Sequence, residues 1–188
     1  MKPKIRIIDA GYGNVFSVRQ ALVRAGARIV NQNEDGVVLP GVGAFDTAAR
    51  KLDEAKAAIE SKKPFLGICL GMQALFESSQ EGKTKGMGVL RGRVRRLKNK
   101  TLPHMGWNTV AFENSRLGDG IRQPWFYFVH SYACPESRRV TGWTEYGQRF
   151  ASAVEKGNMF GVQFHPEKSG KSGALLMENF VEVVRQWT

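Results

Sequence analysis

Cysteine is scarce in this chain: Cys69 and Cys134 are the two among 188 residues. Two cysteines cannot build a disulfide framework, and neither lies in a zinc-like spacing. That leaves room for one free thiol with a chemical role. Long apolar runs are also missing, so no segment is long enough to span a bilayer. The opening stretch, Met1 to Asp9, carries basic residues and then Ile5, Ile7 and Ile8. It lacks the long apolar stretch and small-residue cleavage site of a secretory signal, reads as a first strand, and leaves a cytoplasmic location as the expectation. Acidic residues number 17 against 28 Lys and Arg, for a net charge of +11 and a pI near 10.0. Such an imbalance raises the question of nucleic acid or an acidic partner. Yet no helix-turn-helix, RNA-recognition or zinc-finger signature is present. No phosphate loop ends in Gly-Lys-Ser/Thr, and Gly11-Tyr12-Gly13 and Gly41-Val42-Gly43 lack the third glycine of a dinucleotide fingerprint. The chain is therefore not expected to use ATP itself.

What is there is globular: 42% hydrophobic and 24% charged residues. The length suits one compact domain, 1–188, with a real core. The first half alternates strand and helix signals. Residues 4–9 read as a strand ending at Gly11-Tyr12-Gly13. Asn14 can cap a helix with Val15, Val18, Leu22 and Ala25 at helical spacing, ended by Gly26. A short strand at 27–30 precedes a polar connection, and Val37-Val38-Leu39 reads as a buried strand stopping at Pro40-Gly41. Asp46 or Thr47 can cap the next helix, with Ala48, Leu52, Ala55 and Ile59 on one face. Residues 64–69 are a strand again and 71–78 a helix. This alternation predicts an α/β fold, a mostly parallel central sheet with helices on both faces. The second half changes character. Short β-like runs at 88–97, 107–112, 125–132, 149–154 and 159–164 predict a smaller antiparallel or mixed sheet, and a last helix covers about 172–187.

The segment Pro64-Phe65-Leu66-Gly67-Ile68-Cys69-Leu70-Gly71-Met72-Gln73 is the most informative. An apolar strand runs into Gly-x-Cys-x-Gly and then a helix. This is the nucleophile-elbow pattern with Cys in the Ser position. A nucleophile on so sharp a turn needs small residues two places before and after it, and Gly67 and Gly71 supply them. The turn sets the sulfur at a helix N-terminus, where the dipole favours thiolate. The Leu70 N–H can then face a developing oxyanion. Most free cysteines are small core residues, and Cys134, beside Pro135, reads as one.

A thiol nucleophile needs a base oriented by a third group. The histidines are His104, His130 and His165. His165 lies in Gly161-Val162-Gln163-Phe164-His165-Pro166-Glu167, at the end of an apolar strand. Glu167 is two residues on, and such residues on an extended stretch point the same way. Its carboxylate can hold one ring nitrogen and leave the other for Cys69. His130, inside an aromatic run, reads as a satisfied core histidine, and His104, after Pro103, as a loop residue.

With the Cys69 elbow and Phe164-His165-Pro166-Glu167 both present, the chain resembles the class I, or triad, glutamine amidotransferases over nearly its whole length. Within that class, four stretches look like the glutaminase subunits of imidazole glycerol phosphate synthase. They are Asp9-Ala10-Gly11-Tyr12-Gly13-Asn14, Leu39-Pro40-Gly41-Val42-Gly43-Ala44-Phe45, Pro103-His104-Met105-Gly106-Trp107-Asn108 and Phe126-Tyr127-Phe128-Val129-His130-Ser131-Tyr132. The polar connection between Val30 and Val37 is shorter than this family leads one to expect.

The resemblance implies a Cys69, His165, Glu167 triad that hydrolyses glutamine through a thioester, without metal or organic cofactor. It implies an oxyanion hole from Val42, Gly43 and Leu70, and a glutamine pocket of Gly41, Gly71, Gln73, Glu81, Ser131 and Tyr132. Asn14, Trp107 and Tyr127 would face a (β/α)8 cyclase subunit that receives the ammonia, in a heterodimer serving histidine biosynthesis. Aromatics of this kind also serve as plain core packing, a reading as good as the interface role for Tyr127. A glycine-flanked loop at Pro40–Gly43 could flip an N–H in or out of the hole, so turnover is expected to be low until the partner is loaded. One rival is the glutaminase of another synthase, such as pyridoxal phosphate synthase, which would carry a Pro-Gly-Gly loop and no Pro-His-Met-Gly-Trp-Asn. Another is a basic nucleic-acid-binding module, resting on the charge and on Arg91, Arg93, Arg95, Arg96, Lys98 and Lys100. Charges on a strand face are more often solvated or protect an edge, so neither nucleic acid nor membrane is expected as a partner.

Overall fold

The computed structural model describes residues 1–9, 14–41, 45 and 51–187. Its strands in chain order are β1 (Lys4–Ile7), β2 (Arg28–Ile29), β3 (Gly36–Gly41), β4 (Phe65–Cys69), β5 (Ser78–Ser79), β6 (Arg93–Arg96), β7 (His104–Thr109), β8 (Ala111–Phe112), β9 (Trp125–His130), β10 (Tyr132–Ala133), β11 (Val140–Glu145), β12 (Arg149–Lys156) and β13 (Met159–Val162). The helices are α1 (Val15–Arg24), α2 (Leu52–Glu60), α3 (Leu70–Gln73) and α4 (Gly170–Trp187). A 3-10 turn spans Pro166–Lys168.

An eight-stranded sheet forms the centre, in the order β2-β1-β3-β4-β13-β12-β11-β8. Strands β2, β1, β3, β4 and β13 run parallel, and β12, β11 and β8 extend the sheet antiparallel. Every residue of β3 and β4 is buried, which is why both read as unbroken apolar runs rather than alternating ones. On one side of the sheet Leu22 of α1 and Leu176, Phe180 and Val184 of α4 join one core cluster. On the other, Leu52 and Ala55 of α2 and Met72 of α3 join a second. Asn14 does cap α1, its Oδ1 accepting from Ser17 N at 3.0 Å. The two smaller sheets are β10-β6-β5 and β7-β9.

Several sequence expectations shift. The helix expected over 71–78 is one turn, α3. The carbonyls that would have continued it are taken: Ala74 O, Leu75 O and Phe76 O accept from Met87, Leu90 and Gly88 N–H groups. Its dipole is accordingly that of a single turn. His104 is not in a loop but opens β7, and it is buried. The expected run 107–112 is two strands, β7 and β8, in different sheets. The helix expected after Asp46 or Thr47 is described only from Leu52; those two residues lie outside the described set. The short connection before β3 is held by Glu34, which pairs with Lys63 at 2.9 Å and Arg6 at 3.4 Å. Burial raises the Glu34 pKa, but Lys63 and Arg6 outweigh it and hold the carboxyl below its ordinary value.

Candidate active site

Strands β3, β4 and β13 are parallel neighbours, so their carboxyl ends lie side by side; Gly41 pairs with Cys69 and Val162 with Ile68. Sites in open α/β sheets form at this edge. Cys69 stands between β4 and α3 with φ 54°, ψ −107°, a conformation that costs on the order of 1–3 kcal/mol in a non-glycine residue. The flanking glycines make the turn possible. A Cβ on Gly67 would lie 2.5 Å from Gly71 O, and one on Gly71 would lie 2.0 Å from Leu39 O. Both obstacles are backbone and cannot swing away. Gly71→Ala is therefore expected to cost roughly 3 kcal/mol or more of stability, read as a fall in denaturation midpoint. A variant as stable as wild type would mean that the turn is not held as described.

His165 follows β13 and is buried, with Nδ1 2.9 Å from Glu167 Oε1. Both side chains are almost wholly enclosed. The acid does not sit on an extended stretch, as the sequence suggested, but in the 3-10 turn that His165 leads into. Pro166 opens that turn, which curls the carboxylate back to the ring. Burial alone lowers the His165 pKa. Negative charge on the Cys69 sulfur and on Glu167 overcomes it, so the imidazole is pushed up to about 10. Nε2 has no hydrogen-bond partner among the described residues, and the sulfur is close enough to act on it electrostatically.

A cavity of about 150 Å³ opens beside the sulfur, lined by Cys69, Leu70, Gln73, Glu81, Val129, His130, Ser131 and Tyr132. The predicted pocket residues Gln73, Glu81, Ser131 and Tyr132 thus meet there, with Leu70 of the predicted oxyanion hole. Leu70 begins α3, where the first amides have no intrahelical acceptor. Gly41 packs against Leu70: a Cβ there would meet Leu70 Cβ at 2.8 Å. Glu81 Oε2 accepts from Phe45 N at 2.9 Å. Val42 and Gly43 lie outside the described residues. A larger groove, about 750 Å³, beside Arg116 and Asn179 shares no residue with this site.

Two residues escaped the sequence reading. Gln163, fully buried on the way to His165, donates from Nε2 to Cys69 Sγ at 3.5 Å and accepts from Gln73 Nε2 at 3.1 Å. A lone amide inside an apolar strand end was its signal. Ser169 Oγ donates to His165 O at 2.6 Å and accepts from Tyr127 N at 3.0 Å. His165 N in turn donates to Tyr127 O at 2.9 Å. The histidine is therefore stitched to β9.

The predicted partner residues lie on one strand pair and a helix start. Trp107 and Tyr127 are directly opposite across β7 and β9, ring centroids 6.2 Å apart. Trp107 is 54% exposed and Met105 62%; Tyr127 is half-buried, and Asn14 is exposed. Cys134 is buried as expected, and burial pushes its thiol pKa up. On β6 the side chains of Arg93 and Arg95 are solvated while Val94 faces the core. Among the described residues no His, Cys, Asp and Glu cluster could hold a metal, and no helix is long and apolar enough to cross a membrane.

A strained cysteine elbow at the carboxyl ends of the parallel strands, with a His–Glu pair beside it, is an arrangement suited to thiol acyl transfer. The chain belongs to the class I glutamine amidotransferases: the family model "Glutamine amidotransferase class-I" matches residues 7–183. Within that class it groups with proteins named imidazole glycerol phosphate synthase subunit HisH. The one from Methanocaldococcus jannaschii is 44% identical, covering 96% of this chain and 100% of that protein. One from Bacillus cereus is 47% identical over 97% and 96%, and one from Gloeobacter violaceus 42% over 96% and 89%. Two solved structures share the fold at 20% identity. The glutaminase domain of Trypanosoma brucei CTPS with bound acivicin has a TM-score of 0.75, over 98% of this chain and 94% of that one. PurLQS from Thermotoga maritima has 0.74, over 97% and 99%.

Proposed function

We propose that this chain is the glutaminase subunit of imidazole glycerol phosphate synthase. In this reading it hydrolyses glutamine to glutamate and ammonia and passes the ammonia to a (β/α)8 cyclase subunit. The observation that carries the chemistry is the buried His165–Glu167 pair beside Cys69, at the mouth of a cavity of about 150 Å³. The Cys69 sulfur attacks the side-chain amide carbon of glutamine. The oxyanion is held by the Leu70 N–H, with Val42 and Gly43 assigned to the same task. His165, charged and oriented by Glu167, gives its proton to the departing ammonia; the neutral ring then takes a proton from water, which hydrolyses the glutamyl thioester. Glu81 faces the substrate's α-ammonium, where a carboxylate is the natural partner.

The HisH name on the relatives supports a cyclase partner, and the exposed Trp107 and Met105 supply an aromatic face for it. Asn14, Trp107 and Tyr127 are assigned to that interface, in a cytoplasmic heterodimer. A site that supplies free ammonia gains from staying idle until an acceptor is present. Glutamate release should therefore be slow for the chain alone and rise at least about a hundredfold with a cyclase carrying its nucleotide substrate, a coupling of roughly 3 kcal/mol. Turnover that ignores the loaded cyclase would keep the glutaminase and assign it to another synthase.

A further inference from the structure

Two of the three histidines take no part in the triad, yet both are buried and fully bonded. His104 of β7 and His130 of β9 are directly opposite in register. The His104 ring is clamped between Tyr146, centroids 4.0 Å apart and 19° from parallel, and Phe128, at 4.7 Å and 22°. Its freedom to turn is small, so its two nitrogens are fixed in direction.

The protons on this pair can be assigned from both ends. Asn108 Nδ2 donates to Glu145 O at 2.9 Å while its Oδ1 accepts from Thr109 N at 2.7 Å, which fixes the amide's orientation. The same Nδ2 lies 3.2 Å from His104 Nε2. An amide nitrogen accepts nothing, so Nε2 is the acceptor and the His104 proton sits on Nδ1. From there it points at His130 Nε2, 3.1 Å away. At the far end, His130 Nδ1 is 2.8 Å from Tyr132 O, a carbonyl that can only accept. His130 is thus also the Nδ1–H form, and the two assignments agree. Burial keeps both rings neutral, pushing His104 down to about 4 and His130, despite the Tyr132 carbonyl, down to about 3.

Tyr132 O accepts a second bond, from Gln73 Nε2 at 2.9 Å. The other Gln73 hydrogen goes to Gln163, and Gln163 ends on the Cys69 sulfur. We propose that His104 and His130 are positioning residues of the glutamine pocket: a one-directional chain from Asn108 through both rings fixes the Tyr132 carbonyl and, with it, the Gln73–Gln163 pair beside the nucleophile. The stretch Val129 to Tyr132 is one wall of the cavity, so the chain sets the shape of the wall. It begins on β7, whose outward side carries the exposed Met105 and Trp107. The inference rests on the glutaminase reading for its kinetic arm only.

The test has two arms. Nitrogen-15 spectra of the wild-type chain at pH 7 should show His104 and His130 neutral with the proton on Nδ1. His104→Phe keeps the ring stack and removes both polar ends. It should raise the KM for glutamine about tenfold, the worth of a lost buried hydrogen bond, with kcat changed less than about threefold. His130 should keep its Nδ1 proton, held by the Tyr132 carbonyl, while its Nε2 resonance shifts on losing the His104 donor. His104→Gln, which can accept and donate in line, should recover most of the loss in KM. A His130 proton on Nε2 in wild type, or a charged ring at pH 7, would overturn the proposal, as would an unchanged KM in a folded His104→Phe chain. If wild type hydrolysed no glutamine even with the loaded cyclase, the functional reading would fall, and the wild-type tautomers together with the His130 Nε2 shift in His104→Phe would decide the chain of bonds by themselves.

Discussion

Cys69→Ala is expected to lower glutamine turnover by on the order of 10⁴-fold or more. At the same time, the proposed complex with a cyclase should stay active when given ammonium salt in place of glutamine. Among the described lining groups the sulfur is the strongest nucleophile: the others are apolar, amide or acidic side chains, the unactivated Ser131 and Tyr132 hydroxyls, and a histidine whose nitrogens are both engaged. Removing it leaves His165 with no covalent partner to serve. Cys69→Ser keeps a nucleophilic atom but a far weaker one, because the hydroxyl lacks the thiol's acidity and polarizability. Its turnover should fall nearly as far. The alanine side chain is smaller, so the 6% exposed pocket position tolerates it and the elbow keeps its glycines. Full glutaminase activity in a folded Cys69→Ala chain would end the thioester mechanism. Loss of the ammonia-supplied reaction as well would show instead that the substitution disturbs the docking of the two subunits.

The parts of this site that were readable in the sequence are the ones that chemistry confines to a few consecutive residues. The elbow needs Gly67, Cys69 and Gly71 within five positions, and the clash of either added Cβ with backbone explains why no other residue would serve. His165 and Glu167 are likewise two apart, so their pairing survived an error in local geometry: an extended stretch was expected, and a 3-10 turn delivers the same contact. The parallel half of the sheet was readable because β3 and β4 are buried throughout and therefore apolar throughout. What could not be read depends on residues far apart in the chain. The helix after Cys69 stops after one turn because segment 87–90 captures its carbonyls. His104 looked like a loop residue because its strand partner, His130, is 26 residues away. Ser169 and Gln163 each owe their place to a contact with a strand or turn that no local pattern announces.

Acidification from pH 7.5 to 5 should destabilise the folded chain by about 4 kcal/mol through His104 and His130 together, at about 1.4 kcal/mol per pKa unit. Both rings have folded pKa values well below the ordinary 6.5, about 4 and about 3. Below pH 6.5 the unfolded chain binds protons that the folded chain refuses, so stability is lost as pH falls, and at pH 5 each ring has lost about 2 kcal/mol. The other shifted groups do not imitate this. His165 is raised to about 10, so its contribution is full below 6.5 and declines from there towards 10; between pH 7.5 and 6.5 it acts in the opposite sense, adding about 1.4 kcal/mol on acidification in both wild type and variant. Glu34 is held below its ordinary 4.5, so its contribution fades only at more acid pH than this window. Denaturant unfolding of wild type and of His130→Gln at the two pH values reads the effect directly. The glutamine side chain does not titrate, so the variant's loss between pH 7.5 and 5 should be smaller than that of wild type by about 2 kcal/mol. Equal losses would mean that His130 takes up its proton in the folded state. That would make the His104–His130 bond of the folded chain one between a charged and a neutral ring.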